Sequence, residues 1–124
     1  MQIDLQTRDI VLTEEISNFV SRRLKFSFGS REEYILRIQV RISDINGPRG
    51  GVDKRCQIRV VLPKIADVVV THTEDDVYIA VDRAAERASY AVNRTLARYF
   101  NRHRAFGRLK HRIPIARINQ LLTT

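Results

Sequence analysis

Acidic residues are missing from the last third of the chain. All 14 Asp and Glu residues lie between Asp4 and Glu86, together with 13 of the 22 Lys and Arg residues, which gives this part a net charge of −1. Residues 87–124 contain the other nine basic residues and no acid, a net charge of +9. Because a charge excess confined to one region creates a directed field, this segregation indicates a polyanionic partner. The alternative is a solvated basic tail without a partner.

Cysteine and long apolar runs are also scarce. The single cysteine, Cys56, excludes a disulfide framework and is typical of a reducing compartment. No apolar run is long enough to cross a membrane, and Met1–Asp4 lacks the cationic and apolar segments of a signal peptide. At 124 residues, 44% of them hydrophobic, the chain fits one domain with its own core. We expect a cytoplasmic protein.

No catalytic or metal-binding set is recognisable. His72, His103 and His111 share no metal-ligand spacing with one another or with Cys56, which we expect to be a small buried hydrophobic residue. The glycines at 47–51 are not followed by the Gly-Lys-Ser/Thr of a phosphate loop. The acidic cluster at 74–76 fits the charged start of a helix better than a metal or general-base site. The sequence therefore predicts a protein that is not an enzyme and has no metal or cofactor.

Hydrophobic periodicity predicts four strands and two helices. Strands are expected at 2–6, 34–43, 55–62 and 67–73, where apolar and polar residues alternate or β-branched residues cluster. In the second strand the alternation places Tyr34 and Leu36 on the buried face and Ile35 on the wet one. A first helix is expected at about 13–27, with Thr13 as N-cap and Gly29-Ser30 at its end.

The second helix is expected to follow Thr73-Glu74-Asp75-Asp76, a capping pattern with Thr73 at the cap. The resulting order, β-α-β-β-β-α, predicts an α+β fold. Its first two strands are parallel, and the short turns make the others antiparallel. Both helices must cover the same face of a four-stranded mixed sheet, which gives a two-layer sandwich.

One side of the second helix is rich in arginine. At 100° per residue this arginine stripe falls within about 80° of the helix circumference. Guanidinium groups at helical spacing suit a row of phosphates, and no acid follows Glu86 to interleave with them as on an ordinary solvated face. Tyr90 within the stripe suits stacking on a base, or equally lying over the sheet edge. The stripe comprises Arg83, Arg87, Tyr90, Arg94, Arg98 and Asn101, and Arg102 follows at its margin.

Residues 73–82, Thr-Glu-Asp-Asp-Val-Tyr-Ile-Ala-Val-Asp, resemble the Glu-Asp-Met-Tyr-x-Ala-Ile-Asp signature that opens the last helix of the ribosome hibernation-promoting factor family. The opening strand and the Thr13-Glu14-Glu15-Ile16 segment are also similar to the family. The resemblance covers about residues 1–102 and leaves 103–124 as a basic tail without a counterpart. The arginine-rich second helix and the glycine-rich loop depart from the family pattern.

The resemblance implies a non-catalytic factor that binds small-subunit rRNA in the mRNA and tRNA channel. Such factors inhibit translation in stress or stationary phase. We expect a short member without the C-terminal domain through which long members pair ribosomes, and we expect a monomer. The matching basic positions, with the weaker candidates Lys54 and Arg55 and the stacking candidate Tyr90, form the predicted RNA-binding set: Arg22, Arg23, Lys25, Lys54, Arg55, Arg83, Arg87, Tyr90, Arg94, Arg98 and Arg102.

Two other functions stay open on the sequence alone. A regulator of the same fold would bind an acidic protein through its exposed sheet face, basic helix and tail. A small nuclease or hydrolase would need converging acid, base or metal groups that the sequence does not assemble.

Overall fold

The computed structural model describes residues 1–45 and 53–103. Strands β1 (Gln2–Arg8), β2 (Arg37–Asp44), β3 (Lys54–Val61) and β4 (Val68–Glu74) accompany helices α1 (Glu14–Phe28) and α2 (Val77–His103). A short 3₁₀ helix, Gly29–Tyr34, follows α1. The turn predicted between the second and third strands, which contains the glycines at 47–51, and residues 104–124 of the predicted tail lie outside the described residues.

The four strands form one mixed sheet in the order β1-β2-β3-β4. Strand β1 pairs with β2 in parallel, and the β2–β3 and β3–β4 pairs are antiparallel. The parallel pair is the consequence of the α1 crossover, because a helix between two strands returns the chain in the same direction. The predicted α+β fold and its element order are confirmed.

The sheet is buried on one face and polar on the other. In β2 the buried residues are Ile38, Val40 and Ile42, and in β3 they are Cys56, Ile58 and Val60, each at most 2% exposed. Arginine, glutamine and serine occupy the alternate positions, since successive side chains of a strand point to opposite faces. The predicted alternation is therefore confirmed from position 37 onward.

The start of the predicted second strand is wrong. Residues 29–34 form the 3₁₀ helix, and β2 begins only at Arg37. Ile35 is 4% exposed and Leu36 is 56% exposed, the reverse of the prediction. The error arises because Ile35 is fixed by the turn that follows the 3₁₀ helix, where its N–H donates to the Glu32 carbonyl, and not by the pleat of the strand.

Helix α1 begins where the sequence predicts. The Thr13 side chain accepts a hydrogen bond from the Ile16 N–H at 3.1 Å, which satisfies one of the open donors of the first turn. At the other end Gly29 has right-handed dihedral angles, φ −58° and ψ −37°, so it continues the chain into the 3₁₀ helix instead of providing a left-handed cap. That 3₁₀ helix contains Arg31, which is buried, donates to the Ser27 carbonyl and lies over the Phe28 ring. Burial lowers the pKa of Arg31 to about 10.

The cap of helix α2 lies three residues later than predicted, at Asp76 instead of Thr73. Thr73 and Glu74 belong to β4, because they pair with Arg55 and Lys54 of β3. Asp76 is the cap: its carboxylate accepts hydrogen bonds from the N–H groups of Tyr78 and Ile79, at 2.7 and 3.2 Å. Of the acidic cluster, Asp76 therefore serves the helix start as predicted, whereas Glu74 belongs to β4, where its carboxylate lies beside His72.

The chain divides into two units, Met1–Ala88 and Ser89–Thr124, and α2 continues from the first into the second. In the first unit the edge-to-face contact of Phe19 with Tyr78, 5.1 Å between ring centroids, joins α1 to the start of α2. Val20 and Leu24 of α1 and Val81 and Ala84 of α2 are buried in this unit, as is the apolar face of the sheet. In the second unit the described part of α2 buries Val92, Asn93, Leu96 and Ala97. Among the described residues no helix is long and apolar enough to span a membrane.

Candidate nucleic-acid interface

Helix α1 presents two exposed cations. Arg22 and Lys25 are both accessible, as expected from their place on the outer side of the helix. The Arg22 Nε–H donates to the Asn18 carbonyl one turn earlier, at 3.4 Å, which orients the side chain along the helix. Beside it lies an open hollow of about 600 Å³ that Arg22 lines together with Phe19 and Tyr78. Both cations can reach a polyanion.

Arg23, which lies next to Arg22, is held inside the protein. Its side chain is 18% exposed, and its Nε–H donates to the Asp82 carboxylate on α2 at 2.6 Å. A second nitrogen donates to the Ser27 hydroxyl, and the guanidinium lies 5.8 Å from the centre of the Phe26 ring. Arg23 therefore ties α1 to α2 and neutralises an acid, which leaves little of its charge for an external phosphate.

In the first unit, the stripe on α2 contributes Arg83 and Arg87, both exposed. Arg87 Nη1–H donates to the backbone carbonyl of Thr71 on β4 at 2.9 Å. The neighbouring His72 lies 2.7 Å from the Glu74 carboxylate. One nitrogen of Arg87 thus fixes the guanidinium over the β4 edge, and the planar group keeps further donors for a ligand.

In the second unit, the predicted stripe continues along the described part of α2. Tyr90 is 54% exposed, and the Arg94 guanidinium lies 5.7 Å from the centre of its ring. A cation placed over an exposed aromatic ring is an arrangement that also accepts a nucleobase. Arg98, Asn101 and Arg102 are exposed along the same helix.

The two candidates at the start of β3 differ. Lys54 Nζ forms ion pairs with Asp53 at 2.8 Å and with Asp44 at 3.4 Å. The hydrogen bond to Asp53, supported by Asp44, raises the pKa of Lys54. Its charge is used within the protein. Arg55 is exposed on the polar face of the sheet.

The polar face of the sheet carries cations that were not among the predicted site residues. This open sheet face has exposed arginines on β1, β2 and β3, of which only Arg55 belonged to the predicted set. The signal was present in the alternation of Arg and Gln along β2 and β3. Phe26 on α1, 85% exposed, was also missed. The arginines of the open sheet face are Arg8, Arg37, Arg41, Arg55 and Arg59.

Groups suited to catalysis or metal binding do not converge in the described part of the chain. No cluster of three or more His, Cys, Asp or Glu residues suitable for a metal ion occurs within it. The Cys56 thiol is buried, and burial raises its pKa to about 12, so it has the character of a core residue. The candidate functional groups are therefore the exposed arginine and lysine side chains on the two helices. Guanidinium and ammonium groups are the side chains that proteins use to bind phosphate.

Residues 3–99 match the family described as sigma 54 modulation protein / S30EA ribosomal protein. The fold is similar to that of the N-terminal domain of Thermus thermophilus Protein Y, with a TM-score of 0.62, 28% identity and coverage of 76% of this chain and 98% of that one. It is also similar in fold to a ribosomal subunit interface protein from Coxiella burnetii, with a TM-score of 0.61, 16% identity and coverage of 80% and 97%. No curated protein is significantly similar in sequence. Because the family match spans most of the folded chain, the resemblance to hibernation-promoting factors is confirmed: the protein belongs to the sigma 54 modulation / S30EA ribosomal protein family of ribosome-associated factors.

Proposed function

We propose that this protein binds the small ribosomal subunit through its rRNA and lowers translation by occupying the space of mRNA and tRNA. The observation that carries the proposal is the set of exposed cations on both helices of a chain that belongs to a ribosome-associated family. Protein Y and the Coxiella subunit interface protein share the fold. Ribosome association would place the protein in the cytoplasm.

The contacts would come from exposed side chains that form no ion pair with another described residue. On α1 these are Arg22 and Lys25, and on α2 they include Arg83, Arg94 and Arg98. Arginine donates two parallel hydrogen bonds to a phosphate, so each exposed guanidinium can fix one backbone position. Tyr90 and Arg94 would hold a base or ribose between them. Contacts of this kind are largely independent of sequence.

The mechanism is steric. A bound domain needs no chemical step, because its volume excludes the ligands that use the same rRNA surface. Counterion release would dominate the affinity. If six to ten phosphates are engaged, raising the salt from 50 to 200 mM should weaken binding by roughly 10³- to 10⁵-fold, a range taken from DNA.

The experiment is binding of the Arg94→Gln/Arg98→Gln variant to purified small subunits, measured by pelleting, beside inhibition of translation in a reconstituted system. Both side chains are exposed, so the fold should persist, which circular dichroism checks. We expect weaker pelleting and a matching loss of inhibition. Unchanged binding would show that α2 is not part of the interface. Binding that survives digestion of the rRNA by nuclease would favour an acidic protein as the partner.

A further inference from the structure

The open sheet face is rich in arginine, although the fold requires only that its side chains be compatible with solvent. Among the described residues its charged groups are the five arginines named above, Asp4 on β1, and Asp67, which directly precedes β4, so the face has a net charge of +3. Arg59 forms an ion pair with Asp67 at 3.0 Å. Among the described residues Arg37, Arg41 and Arg55 form no ion pair, so three exposed guanidinium groups are available on this face.

The arginines are interleaved with glutamines in a repeated pattern. Strand β2 has Arg-x-Gln-x-Arg at 37–41, and β3 has Arg-x-Gln-x-Arg at 55–59. The antiparallel register offsets the two repeats by one pair, so that Arg41 lies opposite Gln57 and Gln39 lies opposite Arg59. Like charges directly across two strands repel, and this offset separates them. The face therefore alternates cationic donors with amides along and across the strands.

The open sheet face has the size and shape of a shallow platform. Four residues of a strand span about 13 Å, and four strands spaced about 4.8 Å apart span about 14 Å. A hollow of about 410 Å³ lies in it, lined by Asp4, Gln6, Gln39, Arg41, Gln57 and Arg59 together with neighbouring residues of β1 and β2. The exposure of the arginines shows that neither α1 nor the part of α2 in the same unit covers this face.

We propose that the open sheet face is a second RNA-binding surface, and that it takes a double-helical segment of RNA across its minor groove. This rests on the proposed function, since it assumes that the partner is rRNA. The minor groove of an A-form helix is wide and shallow, and it displays phosphates and ribose 2′-hydroxyls. Arg37, Arg41 and Arg55 supply donors for the phosphates. Gln39 and Gln57 supply amides that both donate to and accept from hydroxyls.

The same face argues against an unpaired strand of RNA. Surfaces that bind single strands stack the bases on aromatic side chains. On the open sheet face, the described strands carry none: the apolar members are Val61 and Val69, and the others are polar. Binding here would read the shape and backbone of a helix, with little dependence on base sequence.

The test is protection of arginines from phenylglyoxal, followed residue by residue by mass spectrometry, with the full chain free and bound to purified small subunits. We expect protection of Arg37, Arg41 and Arg55 as well as Arg22 and Arg83. Protection confined to the helices would overturn the sheet proposal and leave the proposed function standing. If no arginine is protected and the chain does not pellet with subunits, both fail. Sheet protection on subunits but not on protein-free rRNA would identify a ribosomal protein as the occupant, which also overturns the proposal.

A salt titration of pelleting gives a second measurement. Loss of one phosphate contact should reduce the slope of log affinity against log salt by about one, so we expect that change for Arg41→Gln and about twice it for Arg37→Gln/Arg41→Gln. Lys64→Gln is the matched control. It removes one exposed charge from the turn between β3 and β4, and it should leave the slope unchanged. Equal slopes for Arg41→Gln, Lys64→Gln and the unmodified chain would contradict the proposal.

Discussion

Arg22 and Arg23 are adjacent in sequence, but the structure predicts opposite results when each is replaced by glutamine. Arg22 lies beside an open hollow, whereas Arg23 is 18% exposed and bonded to Asp82. Each substitution removes one positive charge from the same turn of α1. The pair therefore separates the proposed contact of Arg22 with RNA from the contact of Arg23 within the protein, and each variant is the control for the other.

The magnitudes follow from the environments. The Arg23–Asp82 pair is short, 2.6 Å, but the Asp82 side chain is 55% exposed, so water screens it and we expect Arg23→Gln to cost about 1 kcal/mol of unfolding free energy. Arg22→Gln should change stability by less than about 0.5 kcal/mol, as is usual for exposed sites. Loss of one charge-assisted phosphate contact is worth about 1.5–3 kcal/mol, which is a weakening of binding of roughly 10- to 150-fold.

Urea denaturation and pelleting with small subunits measure the two quantities on the same preparations. We expect Arg22→Gln to lose affinity at unchanged stability, and Arg23→Gln to lose stability with a smaller change in affinity. Asp82→Asn should cost as much stability as Arg23→Gln, and combining them should cost little more. If Arg23→Gln has unchanged stability and loses as much affinity as Arg22→Gln, the division into an RNA contact and an internal contact is wrong.

Three further predictions concern the fold. The Cys56 thiol ionises near its ordinary pKa of 9.0 in the unfolded state, whereas burial raises its pKa to about 12 in the folded state. The unfolded state therefore loses its proton first, and the free energy of unfolding falls above pH 9. We expect urea titrations to show a loss of about 1 kcal/mol by pH 10, and Cys56→Ala to lack this contribution. Asp76→Ala removes the cap of α2 and should cost about 1 kcal/mol, with Thr73→Ala costing less because Thr73 lies in β4; equal costs would restore Thr73 as the cap. Ile58→Ala leaves a cavity at a fully buried position and should cost about 2–5 kcal/mol, and a value near zero would contradict its place in the core.

The sequence predicted the fold correctly where a single local pattern determines the structure and no tertiary contact competes with it. Alternation along β2 and β3 settled which residues are buried, because each strand has one wet face. Thr13 was found because a threonine followed by two glutamates is typical of a helix start. Thr73 also fits a cap, but pairing with β3 extends β4 through it, and Asp76 takes its place. Pairing across strands is decided by tertiary structure, which a local pattern does not contain.

For the candidate site, the sequence predicted the types of residue correctly, but it did not predict which of them form ion pairs inside the protein. Helical spacing correctly identified the exposed positions on α2. It could not show that Arg23 bonds to Asp82, 59 positions later, or that Lys54 is neutralised by Asp44 and Asp53. Such pairs follow from how the elements pack. The arginines of β2 and β3 were recognisable as a wet face, but their offset arrangement depends on the register of the two strands.

The most direct test of ribosome binding is sucrose-gradient sedimentation of lysates from growing and starved cells, with the protein detected at low and at high salt. We expect the protein to sediment with small subunits or whole ribosomes at low salt and to be released at high salt, since in the proposed function exposed arginines and lysines would supply the affinity. A protein that remains at the top of the gradient at both salt concentrations and in both growth states would contradict ribosome binding.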